Sequence, residues 1–80
     1  MKEIERLREK VDKIDLKLVK TLYKRNKITS KIKQLKQKNN IKIEDKSREK
    51  IILNRLKSIK LVRSKSLEKI YKEIFNLTKK

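Results

Sequence analysis

The sequence predicts an all-α fold in which one long helix precedes two short ones, assembled as an intertwined helical homodimer. Three observations support this prediction. The 80 residues include no glycine and no proline, the residues that most often interrupt helices. Apolar residues recur at helical spacing along most of the chain. The first apolar stripe is too long for the rest of so short a chain to cover. We expect residues 1–80 to form a single domain.

The first helix is predicted from Ile4 to about Lys38. Its stripe is formed by apolar residues three or four positions apart: Ile4, Leu7, Val11, Ile14, Leu18, Leu22, Ile28, Ile32 and Leu35. A helix of this length extends ~55 Å, whereas a compact monomer of this size has a radius of gyration of only ~12 Å. We therefore expect a second copy of the chain to cover the stripe, and a dimer is the simplest assembly.

The second helix is predicted between Asp45 and about Lys60. Asn39 and Asn40 are expected to end the first helix, because asparagine tolerates the left-handed geometry of helix C-termini. Asp45 is a suitable N-cap for the second helix. The apolar face of that helix is Ile52, Leu56 and Ile59.

The third helix follows the short connection "KLVRSKS", in which Ser64 or Ser66 is expected to be the N-cap. The face of this helix consists of Leu67, Ile70, Tyr71, Ile74, Phe75 and Thr78. No repeat and no linker interrupts the three-helix plan.

The composition excludes several classes of function. Without cysteine or histidine the chain has no disulfide framework, no catalytic thiol, no histidine base and no zinc site. We expect neither a metal nor a cofactor. No apolar run reaches the ~18 residues of a membrane span, and the charged N-terminus lacks a signal-peptide core. A cytoplasmic protein without membrane contact is the expectation.

The net charge of +17 has two open interpretations. It is typical of a protein that binds a polyanion such as nucleic acid, but a general lysine bias also produces it and is the favoured interpretation. The basic residues are spread along the whole chain, and only Tyr23, Tyr71 and Phe75 are aromatic. Such a surface is a poor stacking platform for single strands, so the pattern does not favour a nucleic-acid partner.

Three cations on the first helix lie on or beside the apolar stripe. Arg25 continues the heptad series that starts at Ile4, Lys36 borders the same face, and Arg8 lies next to its N-terminal end. A buried cation requires a paired carboxylate or an anionic ligand, because an unpaired one is costly. Alternatively, Arg25 extends its apolar stem along the stripe and keeps its charged head in water.

The segment "EDKSREK" (44–50) concentrates acids in a lysine-rich chain. One interpretation is a capped helix start, in which Asp45 is the N-cap and Glu49 compensates the helix dipole. Taken together with Arg25 and Lys36, Arg48 and Glu49 instead describe a pocket with several cations, one carboxylate and no nucleophile. Such a pocket suits a small molecule with several carboxylates and a hydroxyl, and Glu44 has no assigned role.

The spacing of these residues resembles the all-helical class of chorismate mutase. The pattern of that family is found here as Leu7-Arg8-Glu9, Ile14-Asp15, Arg25, Lys36 and Asp45-x-x-Arg48-Glu49, and residues 4–59 align without a gap. The resemblance implies an enzyme of aromatic amino-acid biosynthesis in the shikimate pathway. This enzyme converts chorismate to prephenate in a homodimer whose long helices cross between protomers.

The resemblance also implies a role for each residue of the pattern. Arg8 would reach into the partner's site and bind one substrate carboxylate, and Arg25 would bind the other. Lys36 would contact the ether oxygen and a carboxylate, so Arg25 and Lys36 are the catalytic candidates. Arg48 would line the pocket.

The substrate hydroxyl is assigned in the same way. Glu49 would bind it, helped by the backbone near Asp45, and Thr78 matches a small hydroxyl position on the last helix. The family normally has a glutamine or glutamate on this helix as a second donor to the ether oxygen, and that position falls two residues beyond Lys80. Lys79 reaches it only in a shifted register that misplaces the apolar face. This missing second donor has three explanations. The enzyme is weakened, a C-terminal lysine replaces the donor, or the chain is truncated relative to its natural product.

Two alternatives to this function remain at this stage. A basic pocket of this kind also suits an isochorismate pyruvate lyase, which releases salicylate and pyruvate. The second alternative is a binding protein and not an enzyme: a basic helical dimer that binds nucleic acid. Only the net charge of the chain supports this alternative.

Overall fold

The computed structural model describes residues 1–79, which form three α-helices and no strand. The helices are α1 (Lys2–Lys38), α2 (Lys46–Ser58) and α3 (Ser64–Lys79). The all-α class and the order of one long and two short helices are as predicted. None of the helices within residues 1–79 has an apolar segment that could span a bilayer.

The long helix α1 extends well beyond the rest of the chain. The molecule measures 57 × 24 × 17 Å and has a radius of gyration of 16.2 Å, above the ~12 Å of a compact chain of this length. Every residue from 1 to 21 is exposed. The apolar stripe is therefore uncovered within one chain: Leu7 is 53% exposed and Leu18 is 64% exposed.

The turn between α1 and α2 forms as the sequence predicts. Asn40 has a φ of 55°, the left-handed geometry that asparagine tolerates better than most residues. Asp45 is the N-cap of α2, and its Oδ1 accepts a hydrogen bond from the Arg48 backbone N–H at 2.9 Å. These two residues determine where the chain leaves α1 and where α2 begins.

Helix α2 ends at Ser58, close to the predicted end near Lys60. There Lys60 has a φ of 60°, and its N–H donates a turn hydrogen bond to the Lys57 carbonyl. The prediction of the third helix cap was wrong. At α3, the Leu67 N–H donates to the Arg63 carbonyl at 2.9 Å. This is the first helical bond, so the N-cap position belongs to Arg63 and not to Ser64 or Ser66.

Helices α2 and α3 form a small hairpin whose core is Leu67, the only buried residue among those the structure describes. Lys57 and Glu68 form an ion pair across the hairpin, and the hydrogen bond from Lys57 lowers the pKa of Glu68. The C-terminal half of α1 packs on α3, where Arg25 and Thr29 contact side chains of that helix. This arrangement places a cavity between the ends of all three helices.

The exposed surface is large for a chain of this mass. It amounts to 7653 Å², whereas a folded monomer of 9.7 kDa is expected to expose about 5,100 Å². The N-terminal part of α1 contributes to this surface, because every residue from 1 to 21 is exposed.

Candidate active site

One cavity of about 350 Å³ lies between the C-terminal half of α1, the start of α2 and the end of α3. It is lined by Arg25, Ile28, Thr29, Ile32, Lys33, Lys36, Ile43, Asp45, Arg48, Glu49, Ile52, Phe75, Thr78 and Lys79. Six of the seven site residues named from the sequence are in this wall: Arg25, Lys36, Asp45, Arg48, Glu49 and Thr78. The fold thus brings together residues that are up to 53 positions apart in the chain.

Arg25 is held by the aromatic residues of α3. Its Cζ atom lies 5.7 Å from the ring centroid of Phe75 and 5.9 Å from that of Tyr71. The two rings pack edge to face with their centroids 5.5 Å apart. Each cation–π contact of this kind contributes roughly 0.5–2 kcal/mol. The guanidinium is half-buried against these rings, so it does not extend into water as the second interpretation of Arg25 required.

Lys36 is positioned by the chain that leaves α1. Its Nζ donates to the Ile43 carbonyl at 3.3 Å, and the Lys36 carbonyl accepts from the Ile41 N–H at 2.8 Å. The segment from Asn39 to Glu44 therefore folds back beside Lys36. The ammonium group is half-buried and has N–H donors left for a ligand.

The first turn of α2 forms the next part of the wall. Asp45 and Arg48 both line the cavity, and the Asp45 side chain caps α2 by accepting from the Arg48 N–H. The positive end of the α2 dipole therefore lies at this part of the wall. This region is favourable for an anionic ligand. Glu49, in the same turn, has a side chain that is 25% exposed.

Glu49 forms an ion pair with Lys79, the last described residue of α3. Lys79 Nζ lies 2.7 Å from Glu49 Oε2 and 3.5 Å from Glu44 Oε1. The hydrogen bond to Glu49 and the charges of both carboxylates raise the pKa of Lys79, while burial opposes that shift. Glu44, which had no role from the sequence, also lies 3.9 Å from Lys46.

Lys79 lines the cavity from the last turn of α3. Its neighbour Thr78 also lines the cavity, and Phe75 lies one turn earlier. The apolar face of α3 therefore stays in place while the long lysine side chain extends to the site from the last turn. The pairing with Glu44 and Glu49 was not foreseen, because an ion pair across helices has no signal in spacing along the chain.

Thr78 is part of a hydrogen-bond cluster between α3 and α1. Its Oγ1 donates to Asn26 Oδ1 at 2.9 Å and lies 2.7 Å from Thr29 Oγ1. Thr29 Oγ1 also lies 3.1 Å from the Asn26 carbonyl. Because each hydroxyl has only one hydrogen, Thr78 donates to Asn26 and Thr29 shares its hydrogen between two acceptors. The cluster ties the last turn of α3 to α1.

Arg8 is the predicted site residue that lies elsewhere. It is exposed and precedes Arg25 by 17 positions on the same helix, which corresponds to ~25 Å along the helix axis. Within one chain Arg8 cannot contact a ligand in this cavity.

The charges of the cavity wall determine what it can bind. Five cations (Arg25, Lys33, Lys36, Arg48 and Lys79) and two carboxylates (Asp45 and Glu49) line it. Among residues 1–79, no group of acidic side chains is arranged to hold a metal ion. The lining offers no thiol or imidazole, and both of its threonine hydroxyls are hydrogen-bonded. The arrangement suits binding of a small polyanion and electrostatic stabilisation of negative charge, rather than covalent catalysis.

Comparison with known proteins identifies the family. The family model described as chorismate mutase type II matches residues 7–80, which is nearly the whole chain. No curated protein and no solved structure matches the chain.

The hydroxyl cluster leads to a prediction about stability. Replacing Thr78 by valine keeps the shape of the side chain but leaves Asn26 Oδ1 without its donor, so we expect the free energy of unfolding to fall by about 1–3 kcal/mol. Urea denaturation at a fixed protein concentration measures this change. Thr78→Ser keeps the hydroxyl and should lose much less, and equal stability of the valine variant and the wild type would show that the cluster does not hold α3.

Proposed function

The chain belongs to the chorismate mutase type II family and is a chorismate mutase, and from this premise we propose that the reaction takes place in the cavity between α1, α2 and α3. One observation carries the proposal: Arg25, Lys36, Arg48 and Glu49, which the family resemblance assigns to the substrate, line the same cavity. The cavity volume of about 350 Å³ is within the range of small-molecule sites.

The reaction makes few chemical demands on the protein. Chorismate rearranges to prephenate in one [3,3] step, in which the ether C–O bond breaks while a new C–C bond forms. The ether oxygen becomes the keto oxygen of the pyruvyl group, and no atom or proton enters or leaves. The enzyme must hold the compact, chair-like conformer and stabilise negative charge on the ether oxygen as its bond lengthens.

The cations of α1 supply both effects in this proposal. Arg25 binds one substrate carboxylate, and its contacts with Phe75 and Tyr71 orient the guanidinium beforehand. Lys36 faces the ether oxygen, where a fixed cation is worth more in the transition state than in the ground state. The hydrogen bond from Lys36 to the Ile43 carbonyl limits the reorganisation that this ammonium group needs.

The start of α2 binds the rest of the substrate. Arg48 contributes a further positive charge, and the backbone at the Asp45 cap lies beside it. Glu49 accepts a hydrogen bond from the substrate hydroxyl. Thr78 lies in the same wall. Its hydroxyl oxygen has two lone pairs and can accept a hydrogen bond. The dianionic substrate thereby brings negative charge to a wall that has five cations and two carboxylates.

The proposed enzyme is an intertwined homodimer. A single chain leaves the α1 stripe exposed and has one buried residue among those described, too little to stabilise a fold. The surplus exposed surface of about 2,500 Å² per chain is of the size found in obligate dimers. A second copy that crosses along α1 covers the stripe and supplies its Arg8 to the second substrate carboxylate.

Loss of the Lys36 ammonium should affect the reaction directly. We expect Lys36→Ala to lower kcat by about 10²–10³-fold, the usual cost of removing one donor to a developing oxyanion. The decrease of chorismate absorbance with purified protein measures the rate. Lys38→Ala, an exposed cation in the same turn that is absent from the cavity wall, is the matched control and should remain active. Conversion by wild-type protein no faster than background would refute activity in this cavity.

A mixing experiment tests whether Arg8 acts in the partner's site. Arg8→Ala and Lys36→Ala chains should each be nearly inactive. When equal amounts are unfolded and refolded together, half of the dimers are mixed, and each mixed dimer has one site with both residues intact. The mixture should recover about one quarter of wild-type activity. A mixture no more active than the separate variants would mean that Arg8 is not shared between protomers.

A further inference from the structure

The basic residues of α1 are concentrated on one flank of the helix. When the apolar stripe is written as heptad positions a and d, starting from Ile4, every c and g position from residue 6 to residue 31 is basic. All of these residues are exposed. We call them the basic ridge, and they follow one another at alternating spacings of four and three: Arg6, Lys10, Lys13, Lys17, Lys20, Lys24, Lys27 and Lys31.

A general lysine bias does not account for this flank. The b and f positions of the same stretch also lie on the side of the helix away from the stripe, but none of them is basic. They are occupied by Glu9, Asp12, Leu16, Val19, Tyr23, Asn26 and Ser30. A bias in composition would place lysine at these positions as well. The ridge is therefore a property of one helix face, although the basic residues look evenly spread when the sequence is read linearly.

The basic ridge lies on the side of α1 that faces away from the cavity. Thr29 and Lys36, which line the cavity, occupy successive e positions of the heptad. At ~100° per residue, position e is about 180° from the middle of positions c and g. No ridge residue belongs to the cavity wall, so a ligand in the cavity leaves the ridge accessible. In the proposed dimer the ridges also face outward, because packing them together would bring like charges into contact.

Within residues 1–79 the ridge has no acidic partner. None of the salt bridges that the structure records includes a ridge residue. Lys27 lies over an aromatic ring instead, with its Nζ 5.5 Å from the ring centroid of Tyr23. From Leu16 to Lys38 the helix contains no acidic residue at all. The repulsion along this face is therefore relieved by small ions or by an external polyanion.

The geometry of the ridge favours a long, straight polyanion. Successive ridge cations are ~5 Å apart along the helix axis, and the whole ridge extends over ~38 Å. Duplex nucleic acid is a stiff rod with one phosphate charge per ~1.7 Å of its axis. A rigid helix with a line of lysines can follow such a rod over its full length, because each lysine binds phosphate as a point charge on a flexible stem.

The residue types disfavour other partners. Lysine is depleted from specific protein–protein interfaces, where aromatic residues and arginine are enriched. A helix that lies on a membrane requires a broad apolar face next to its cations, but the stripe of α1 is the face that the proposed dimer covers. Single strands bind largely by stacking on aromatic rings, and Tyr23 is the only aromatic residue of α1.

We propose that the basic ridge of α1 is a binding surface for duplex nucleic acid, which it contacts through backbone phosphates without sequence preference. This activity is additional to the reaction in the cavity and does not depend on it. The bases of a duplex stay stacked inside it, so the scarcity of aromatic residues does not weaken this mode of binding.

Fluorescence anisotropy of a labelled duplex, measured over a range of salt concentrations, tests the proposal. A duplex of roughly 25 base pairs is longer than the ridge, and each phosphate contact contributes about 0.9 to the slope of log affinity against log salt. The ridge variant replaces four central lysines by glutamine: Lys13, Lys17, Lys20 and Lys24. We expect the slope to become less steep by about three to four, and the affinity at low salt to fall by more than about tenfold.

A matched variant separates the ridge from net charge. It loses the same number of exposed lysines to glutamine on α2 and α3, at Lys50, Lys65, Lys69 and Lys72, and its slope should change by less than about one. Glutamine and lysine have similar helix propensities, so circular dichroism should show wild-type helix content for both. If the ridge variant does not fold, the double variant of Lys17→Gln and Lys20→Gln replaces it, with an expected change in slope of about two.

Three results would overturn the proposal. The first is no binding of wild-type protein to the duplex even at low salt. The second is equal loss of affinity in the ridge variant and the matched variant, since net charge alone would then be responsible. The third is tighter binding of the ridge to poly-glutamate or to phosphatidylserine vesicles than to the duplex. Chorismate turnover should be unchanged in the ridge variant, so failure of the proposed function and failure of this inference are measured separately.

Discussion

The length of α1 is the constraint on which the rest of the structure depends. A helix of 37 residues has an apolar stripe along its whole length, but the two short helices that follow reach only its C-terminal half. Without a partner, the N-terminal half exposes apolar side chains such as Leu7, Val11 and Leu18. The hydrophobic effect makes this unfavourable by roughly 25 cal/mol for each Å² of apolar surface, so the proposed second copy is what makes so long a helix stable. The same geometry keeps Arg8 away from the cavity of its own chain, as the proposed sharing of Arg8 between two chains requires.

The second theme is charge: among the described residues, the cavity wall has five cations and two carboxylates. Arg25 is oriented by aromatic rings, Lys36 by a backbone carbonyl and Lys79 by two carboxylates. Only the last of these cations has acidic partners that the structure records. The aromatic rings and the carbonyl orient Arg25 and Lys36 without cancelling their charges. The potential in this partly enclosed site is therefore strongly positive, and electrostatic interactions there are stronger than in water. A dianionic substrate that rearranges without proton transfer is well matched to such a site.

How far the sequence predicts this molecule depends on how local each feature is. The stripe on α1, the left-handed Asn40 and the Asp45 cap are local, and the sequence predicts them correctly. The end of α2 lies near Lys60 as predicted, but the left-handed conformation of Lys60 is not signalled by its residue type. The prediction of a serine cap for α3 failed because Arg63 occupies the N-cap position. Lys79 was recognised only as a substitute in another register. The position of the Lys79 side chain depends on contacts of Thr78 with α1 and on ion pairs with Glu44 and Glu49. No periodic pattern in the sequence predicts these contacts.

The molar mass in solution tests most directly whether a second copy covers α1. Sedimentation equilibrium at micromolar concentration should give twice the mass of the chain. Circular dichroism of the same sample should show high helix content that melts in a single concentration-dependent transition. A single-chain mass, together with intact helices and a melting temperature that does not change with concentration, would contradict the dimer. It would equally contradict the sharing of Arg8 between two sites.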